Sequence, residues 1–218
     1  MRKIRELSYW HGTVVNAQAR ELKTLVGISQ TRVRRSSFTH FNYWEISINM
    51  VLTKQELIAS LQNEVRILLH LAGKIDNKQL DYRPSPKQRN TLELLQYMVT
   101  MGPMLIQAAK AGAFDPASFQ AATAEAKAMN FDQVCAAIQK QHNTYAELVG
   151  AFSDADLRAE IDMFGRGKES RGAFIVNLVL SGCAAYRTQL FLYLKASGRD
   201  ELNTMNLWAG VDAPMPTV

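Results

Sequence analysis

The chain has 218 residues, 47% of them hydrophobic and 21% charged, which suits one globular domain with a hydrophobic core. It has no run of about 18 apolar residues that would suggest a membrane span, and its N-terminus lacks the apolar core of a secretory signal. The two cysteines, Cys135 and Cys183, have no metal-type spacing and are too few for a disulfide scaffold. These features predict a cytoplasmic protein.

The net charge of +5 is confined to the first 49 residues. They carry eight Lys and Arg residues against three Asp and Glu residues, which leaves 17 residues of each sign in residues 50–218. A neutral domain has no electrostatic footprint for a phosphate backbone, so a nucleic-acid partner is not expected.

The basic N-terminal segment, residues 1–49, has no helical or strand periodicity and is expected to be poorly ordered. Helical signals begin just after Met50, with a capping box formed by Thr53 and Glu56. One interpretation is that Met50 is the natural start and that residues 1–49 are an upstream extension. The alternatives are a basic arm for an acidic partner and an organelle-targeting peptide rich in Arg and Ser.

Residues 50–218 are predicted to form an all-α domain with four long helices and one short extra helix before the third. Apolar spacing and helix caps place the long helices at about 54–75, 90–112, 130–152 and 171–197, and the short one at about 115–128. No segment alternates like a strand. Ile67 and Leu71 lie off the main apolar stripe of the first helix, which suggests a second buried face and a homodimer.

Two stretches of the sequence resemble a known family. Asn90-Thr-Leu-Glu-Leu-Leu-Gln-Tyr-Met-Val is similar to the second helix of DinB-like (YfiT-like) proteins, a superfamily described as metal-dependent enzymes. Residues 181–198 resemble the fourth helix of that family, and Tyr186-Arg187-Thr188-Gln189-Leu190 is the most specific piece. The resemblance covers most of residues 50–212 and implies a DinB-like four-helix bundle.

In that family one histidine from helix two and two from helix four bind a divalent metal. Two residues four apart lie on one helix face, and a ligand from a facing helix completes such a site. The resemblance places the ligand positions at Tyr97, Gly182 and Tyr186, and none is a histidine. Glycine offers no side-chain ligand, and a protonated phenol binds most divalent ions poorly. The family metal site is therefore expected to be lost, and no cofactor is expected.

At the same place we predict a tyrosine-lined pocket for a small molecule, or else a packed core in which the rings fill the space of the metal. His142 is a further candidate for this pocket, but it lies two helical turns, about 10.5 Å, from Cys135. That separation is too long for direct activation of the thiol. The pocket candidates are Tyr97, Met101, Gly182, Tyr186, Gln189, Tyr193 and His142.

Three functions remain open from the sequence. The first is a DinB-like protein without the family metal that binds a small molecule or has lost catalysis. The second is a metal-independent enzyme with thiol-transferase or hydrolase chemistry, in which Tyr97, Tyr186 and His142 are acid–base candidates. The third is a dimeric interaction module that uses the basic N-terminal segment as a binding arm.

Overall fold

The computed structural model describes residues 52–165 and 167–214 of the chain. The predictions for residues 1–49 lie outside the described residues and stay predictions. The helices and strands are, in chain order, α1 (Lys54–Ala72), α2 (Asn77–Leu80), α3 (Thr91–Ala111), α4 (Pro116–Lys127), α5 (Phe131–Gly150), α6 (Asp154–Arg158), β1 (Glu160–Asp162), β2 (Lys168–Ser170), α7 (Arg171–Ala196) and a π-helical turn (Met205–Ala209).

The starts of the long helices follow the capping signals of the sequence. At α1, the Thr53 side chain accepts a hydrogen bond from the Glu56 amide, and the Glu56 carboxylate accepts one from the Thr53 amide. Asn90 caps α3 in the same way, and Asn130 caps α5. Each cap satisfies amide donors that the first helical turn leaves without an intrahelical partner, so these predicted helix starts are confirmed.

The core lies between the four long helices. Helix α5 packs against α1 and α3, and α7 packs against the same two helices. Helix α4 packs along α3. Apolar side chains at helical spacing fill the interior, as the amphipathic pattern requires. Side chains with no exposed surface include Leu61, Leu94, Ile106, Ile138 and Leu190.

Two short strands correct the prediction that the domain contains helices and loops alone. Strands β1 and β2 pair antiparallel, with Ile161 opposite Glu169. Three residues are too few to show the alternating pattern by which a strand is recognised in sequence. The loop between the strands carries Phe164, which has a positive φ of 61°.

Helix α7 is continuous but changes its winding. Its first turn, Arg171–Phe174, is α-helical, the next six residues, Ile175–Leu180, are π-helical, and Ser181–Ala196 returns to the α form. By length and composition, α7 could cross a membrane, and it is the one such helix in the described part of the chain. A core helix of a water-soluble protein can pass the same test.

The residues that suggested a dimer face are buried within the chain itself. Ile67 is 1% exposed and Leu71 is fully buried. Gly210, in the segment after α7, packs so closely on Ile67 that an added Cβ atom would lie 3.1 Å from the Ile67 Cα. Arg66 fixes this segment by donating to the carbonyl oxygens of Ala209 and Gly210. The second buried face of α1 thus has an intramolecular cause, and a homodimer stays a prediction.

Candidate functional site

An open cavity of about 500 Å³ lies between α3 and α7. Four of the predicted pocket residues line it, Tyr97 and Met101 from α3 and Gly182 and Tyr186 from α7. We call it the aromatic cavity. Its remaining lining residues are Leu105, Phe114, Phe119, Phe164, Asn177, Leu178, Ser181 and Ala185.

Two phenols stand together in the aromatic cavity. The rings of Tyr97 and Tyr186 meet edge to face, with centroids 5.2 Å apart and an interplanar angle of 72°. Burial, together with the neighbouring Tyr186 hydroxyl, raises the pKa of Tyr97 to about 12. Tyr97 therefore stays protonated at neutral pH, so its hydroxyl can donate a hydrogen bond but cannot serve as a base there.

Gly182 provides the close approach between the two helices. A Cβ atom added to Gly182 would lie 3.1 Å from Cε and 3.4 Å from Sδ of Met101. The Met101 side chain thus packs directly over the backbone of α7. This packing lets the flexible thioether form one wall of the aromatic cavity.

The π-helical segment of α7 ends at Leu180, two residues before Gly182. It contributes Asn177 and Leu178 to the aromatic cavity, and Ser181 follows it directly. The Ser181 hydroxyl donates to the Val176 carbonyl oxygen at 3.0 Å, across the wider turn. Local π-helical turns occur frequently at functional sites, where they change the direction in which side chains point.

Phenylalanine rings form the rim of the aromatic cavity. Phe114 lies 5.3 Å from Phe119 and 5.1 Å from Phe164, measured between ring centroids. Phe164 is half exposed and adopts a left-handed backbone conformation, which costs a non-glycine residue about 1–2 kcal/mol. The hairpin thus holds this ring at the rim against a local cost, a feature typical of functional sites.

Gln141 stabilises the turn of α3 behind the aromatic cavity. Pro103 lies inside α3 and has no amide hydrogen to donate to the Val99 carbonyl four residues earlier. The Gln141 side-chain amide, which is 5% exposed, donates instead to the carbonyl oxygens of Met98 and Val99, both at 2.8 Å. Gln141 therefore compensates for the hydrogen bond that the proline removes.

Tyr145 extends this interior set of polar groups. Its hydroxyl donates to Gln141 Oε1 at 3.3 Å and lies 3.8 Å from the Cys183 sulfur. A Cβ atom added to Gly102 would overlap the Tyr145 hydroxyl, so glycine is required there. Burial raises the pKa of Cys183 to about 11, which makes this thiol a poor nucleophile at neutral pH.

Arg187, one residue after Tyr186, faces the interior rather than the aromatic cavity. It is 2% exposed, and its Nε lies 2.7 Å from a carboxylate oxygen of Glu64 on α1. Its guanidinium also donates to the Leu207 carbonyl oxygen. Arg187 belongs to residues 186–190, the piece of the sequence with the most specific resemblance. It anchors α7 to α1 and to the segment that follows α7. We call Glu64, Gln141, Tyr145, Cys183 and Arg187 together the polar core.

Gln189 and Tyr193 lie beyond the aromatic cavity, which corrects their predicted position in it. Tyr193 is seven residues, about 10.5 Å along the helix axis, past Tyr186, so it shares the helix face but not the cavity. Gln189 donates to the Tyr193 hydroxyl, which donates to the Arg89 carbonyl oxygen at 3.1 Å. The Arg89 guanidinium lies over the Tyr97 ring, 4.0 Å from its centroid. Gln189 and Tyr193 therefore position the loop that carries Arg89.

His142 also lies away from the aromatic cavity. It is exposed on α5, where its backbone carbonyl accepts a hydrogen bond from Gln62 at 3.0 Å. This side of α5 faces α1 and solvent rather than α7. Cys135, on the same helix, has a pKa raised by burial. The structure thus gives neither residue the setting of an activated nucleophile or its base.

Several lining residues went unnoticed in the sequence. Leu105 and Leu178 continue the four-residue spacing of Tyr97 with Met101 and of Gly182 with Tyr186, so helical periodicity could have identified them. Phe114, Phe164 and Arg89 lie in loops, where no local pattern indicates which side chains will meet in space. The loop after α3 brings Phe114 to the aromatic cavity, the hairpin brings Phe164, and the loop before α3 places Arg89 over the Tyr97 ring.

Comparison with solved structures finds the DinB-like protein YjoA of Bacillus subtilis, with a TM-score of 0.52 and 17% sequence identity. The match covers 68% of this chain and 96% of the YjoA chain. The chain has a DinB-like fold. At this identity the similarity establishes the fold alone, and function must be argued from the site. No protein-family model and no curated protein sequence matches the chain.

The three residues that the sequence resemblance aligns with the family's metal ligands do not have side chains that suit a metal ion. Tyr97 is a protonated phenol at neutral pH, and Gly182 has no side chain. Met101 occupies the space into which a larger side chain at position 182 would project. Within residues 52–165 and 167–214, no three His, Cys, Asp or Glu side chains are grouped to hold a metal. A divalent ion here would lack the nitrogen, thiolate or carboxylate ligands that it needs.

Proposed function

We propose that the protein is a DinB-like four-helix bundle that has lost the family metal site and binds a small organic molecule in the aromatic cavity. The observation that carries this proposal is the open volume of about 500 Å³ at Tyr97, Gly182 and Tyr186. A metal lost with simple repacking of the core would leave no such volume. Pockets of this size with mostly apolar walls and a few polar groups are typical ligand sites.

The composition of the wall supports a ligand with an apolar or aromatic body. Phe114, Phe119 and Phe164 offer ring faces and edges, and Met101 offers an adaptable apolar surface. The Tyr97 and Tyr186 hydroxyls add hydrogen-bonding groups to this wall. Such a wall suits binding better than acid–base catalysis, because burial raises the pKa of Tyr97 to about 12 and keeps its hydroxyl protonated at neutral pH.

The binding proposal is tested with N-phenylnaphthylamine, an uncharged aromatic probe whose fluorescence rises in apolar sites. We expect saturable binding to the full chain. Ala185→Trp fills the aromatic cavity and should abolish it. Ala196→Trp places the same ring on the exposed end of α7 and should leave it unchanged. Equal binding by both variants, or none by the unmodified chain, would contradict the proposal.

The loss of the metal site is tested by metal analysis of the purified chain after growth with added zinc and nickel. We expect less than a tenth of an equivalent of either ion. The double variant Tyr97→Phe, Tyr186→Phe serves as the control, and it should give the same low content. One tightly held equivalent that disappears in the double variant would contradict this part of the proposal.

A further inference from the structure

A second depression adjoins the aromatic cavity and differs from it in charge. Tyr97 and Phe119 line both, so the two spaces meet at these rings. This second space, of about 540 Å³, we call the basic groove. Its charged lining residues are Arg83, Lys87, Arg89, Lys127 and Glu93.

The basic groove holds an excess of positive charge. Its one carboxylate, Glu93, already pairs with Arg83 at 2.9 Å, and that hydrogen bond lowers the pKa of Glu93. Lys87, Arg89 and Lys127 form no ion pair with a carboxylate of the described residues. Because residues 50–218 carry no net charge, this cluster is a local departure from neutrality.

Buried side chains fix the backbone of the basic groove on both sides. Gln96 is 6% exposed, and its amide donates to the carbonyl oxygens of Lys127 and Met129, which holds the end of α4 against α3. On the other side, the buried Tyr193 hydroxyl donates to the Arg89 carbonyl oxygen. The positions from which Arg89 and Lys127 extend are therefore set by the core.

Arg89 connects the two spaces. Its guanidinium carbon lies over the Tyr97 ring, 4.0 Å from the centroid, and the same ring contacts Tyr186 in the aromatic cavity. Stacking on a ring leaves the guanidinium donors at its edge available for planar anions such as carboxylates. A ligand that contacts Tyr97 from the aromatic cavity can therefore reach Arg89 with a negatively charged end.

We infer that the aromatic cavity and the basic groove form one site for an amphipathic organic anion. The apolar or aromatic body of the ligand would lie against Met101 and Phe119. Its anionic head would bind Arg89, with Lys127 as a second cation. This inference rests on the proposed function and adds the ligand class to it.

The inference is tested with a matched pair of probes on the full chain. Anilinonaphthalene sulfonate has an aromatic body and an anionic head, and N-phenylnaphthylamine has the same kind of body without the charge. Arg89→Gln should weaken binding of the sulfonate about tenfold, equal to about 1.4 kcal/mol, and leave the uncharged probe within twofold. Arg89→Lys keeps the charge but loses the planar guanidinium, so its sulfonate affinity should lie between those of the unmodified chain and Arg89→Gln. Lys140→Gln, on an exposed part of α5, should leave both probes unchanged.

Two further measurements show whether the spaces act together. Ala185→Trp should abolish binding of both probes, and added salt should weaken the sulfonate more than the uncharged probe. Sulfonate binding that survives Ala185→Trp, or that Arg89→Gln leaves intact, would overturn the inference. If the uncharged probe binds the unmodified chain and Ala185→Trp abolishes that binding, the proposed function stands and only the ligand class is wrong. If neither probe binds the unmodified chain, both proposals fail.

Discussion

The turn Met101–Pro103 of α3 has the aromatic cavity on one side and the polar core on the other. In the polar core, buried hydroxyl, amide and guanidinium groups have partners, as the Arg187–Glu64 pair illustrates. In the aromatic cavity, rings and a thioether surround open volume next to solvent. The contrast teaches that substitutions in the polar core should cost stability, whereas those around the aromatic cavity should mainly change binding.

Breaking the buried ion pair should give the largest loss of stability. Arg187→Leu leaves Glu64 in the interior without its partner, and we expect the free energy of unfolding to fall by about 3–5 kcal/mol. Urea denaturation followed by circular dichroism measures it. Glu201→Gln, which breaks the exposed pair with Arg199, is the control and should cost about 0–1 kcal/mol. A loss below about 1 kcal/mol in Arg187→Leu would contradict the anchoring role.

Two helical glycines give the sharpest test of the contrast. Gly102→Ala inserts a methyl group against the buried Tyr145 hydroxyl and should cost about 1–3 kcal/mol. Gly182→Ala meets only the flexible end of Met101, and the gain of up to about 1 kcal/mol in helix propensity should offset that contact. Thermal unfolding of both variants measures the difference. Tyr145→Phe should recover part of the loss in Gly102→Ala, and equal effects of the two alanines would remove the contrast.

The role of Gln141 can be isolated with a double-mutant cycle. Gln141→Leu leaves the Val99 carbonyl without a donor and should cost about 1–3 kcal/mol. In a Pro103→Ala background, the new amide at position 103 can donate to that carbonyl, so the same change should cost less. Unfolding free energies of the four proteins give the coupling. Strictly additive effects would show that Gln141 does not compensate for Pro103.

The smallest effect is expected at Tyr97. At pH 7, Tyr97→Phe should change the free energy of unfolding by less than about 1 kcal/mol. The raised pKa of Tyr97 means that the folded state disfavours the phenolate. The protonated phenol therefore contributes fully to the free energy of unfolding below pH 10, and this contribution is lost as the pH rises towards 12. Tyr97→Phe should therefore lose less stability than the unmodified chain between pH 9 and about 11. An identical pH profile for both proteins would place Tyr97 in an environment like water.

The sequence predicted the helices well because their signals are local. The caps at Thr53, Asn90 and Asn130 need only residues three positions apart, and Asp115 with Pro116 marks α4 equally directly. It missed the hairpin of β1 and β2, because three-residue strands carry no period. It also ended α1 three residues too late, at 75 rather than at Ala72, since helix ends are the least constrained part of a helical pattern.

Of the candidate site, only the residues that lie on helices could be predicted from the sequence. Spacing of four residues brings Tyr97 with Met101, and Gly182 with Tyr186, to the same helix faces, and the resemblance to DinB-like proteins indicates that these faces meet. His142 could not be placed in this way, because an edge residue of a helix turns towards one neighbour or the other by a small rotation. Whether the space was open or filled depended on how Met101 packs over Gly182.

By itself, the sequence determined the helix starts at the Thr53, Asn90 and Asn130 caps and the absence of histidine at Tyr97, Gly182 and Tyr186, and its resemblance to DinB-like proteins indicated the fold. Only the tertiary structure decided that these positions line an open cavity beside a cluster of cations. The physical reason is the range of the interactions. Caps and helical faces depend on neighbours within one or two turns, whereas the aromatic cavity depends on Phe164 and the adjoining cations on Arg89, and distant segments bring these residues together.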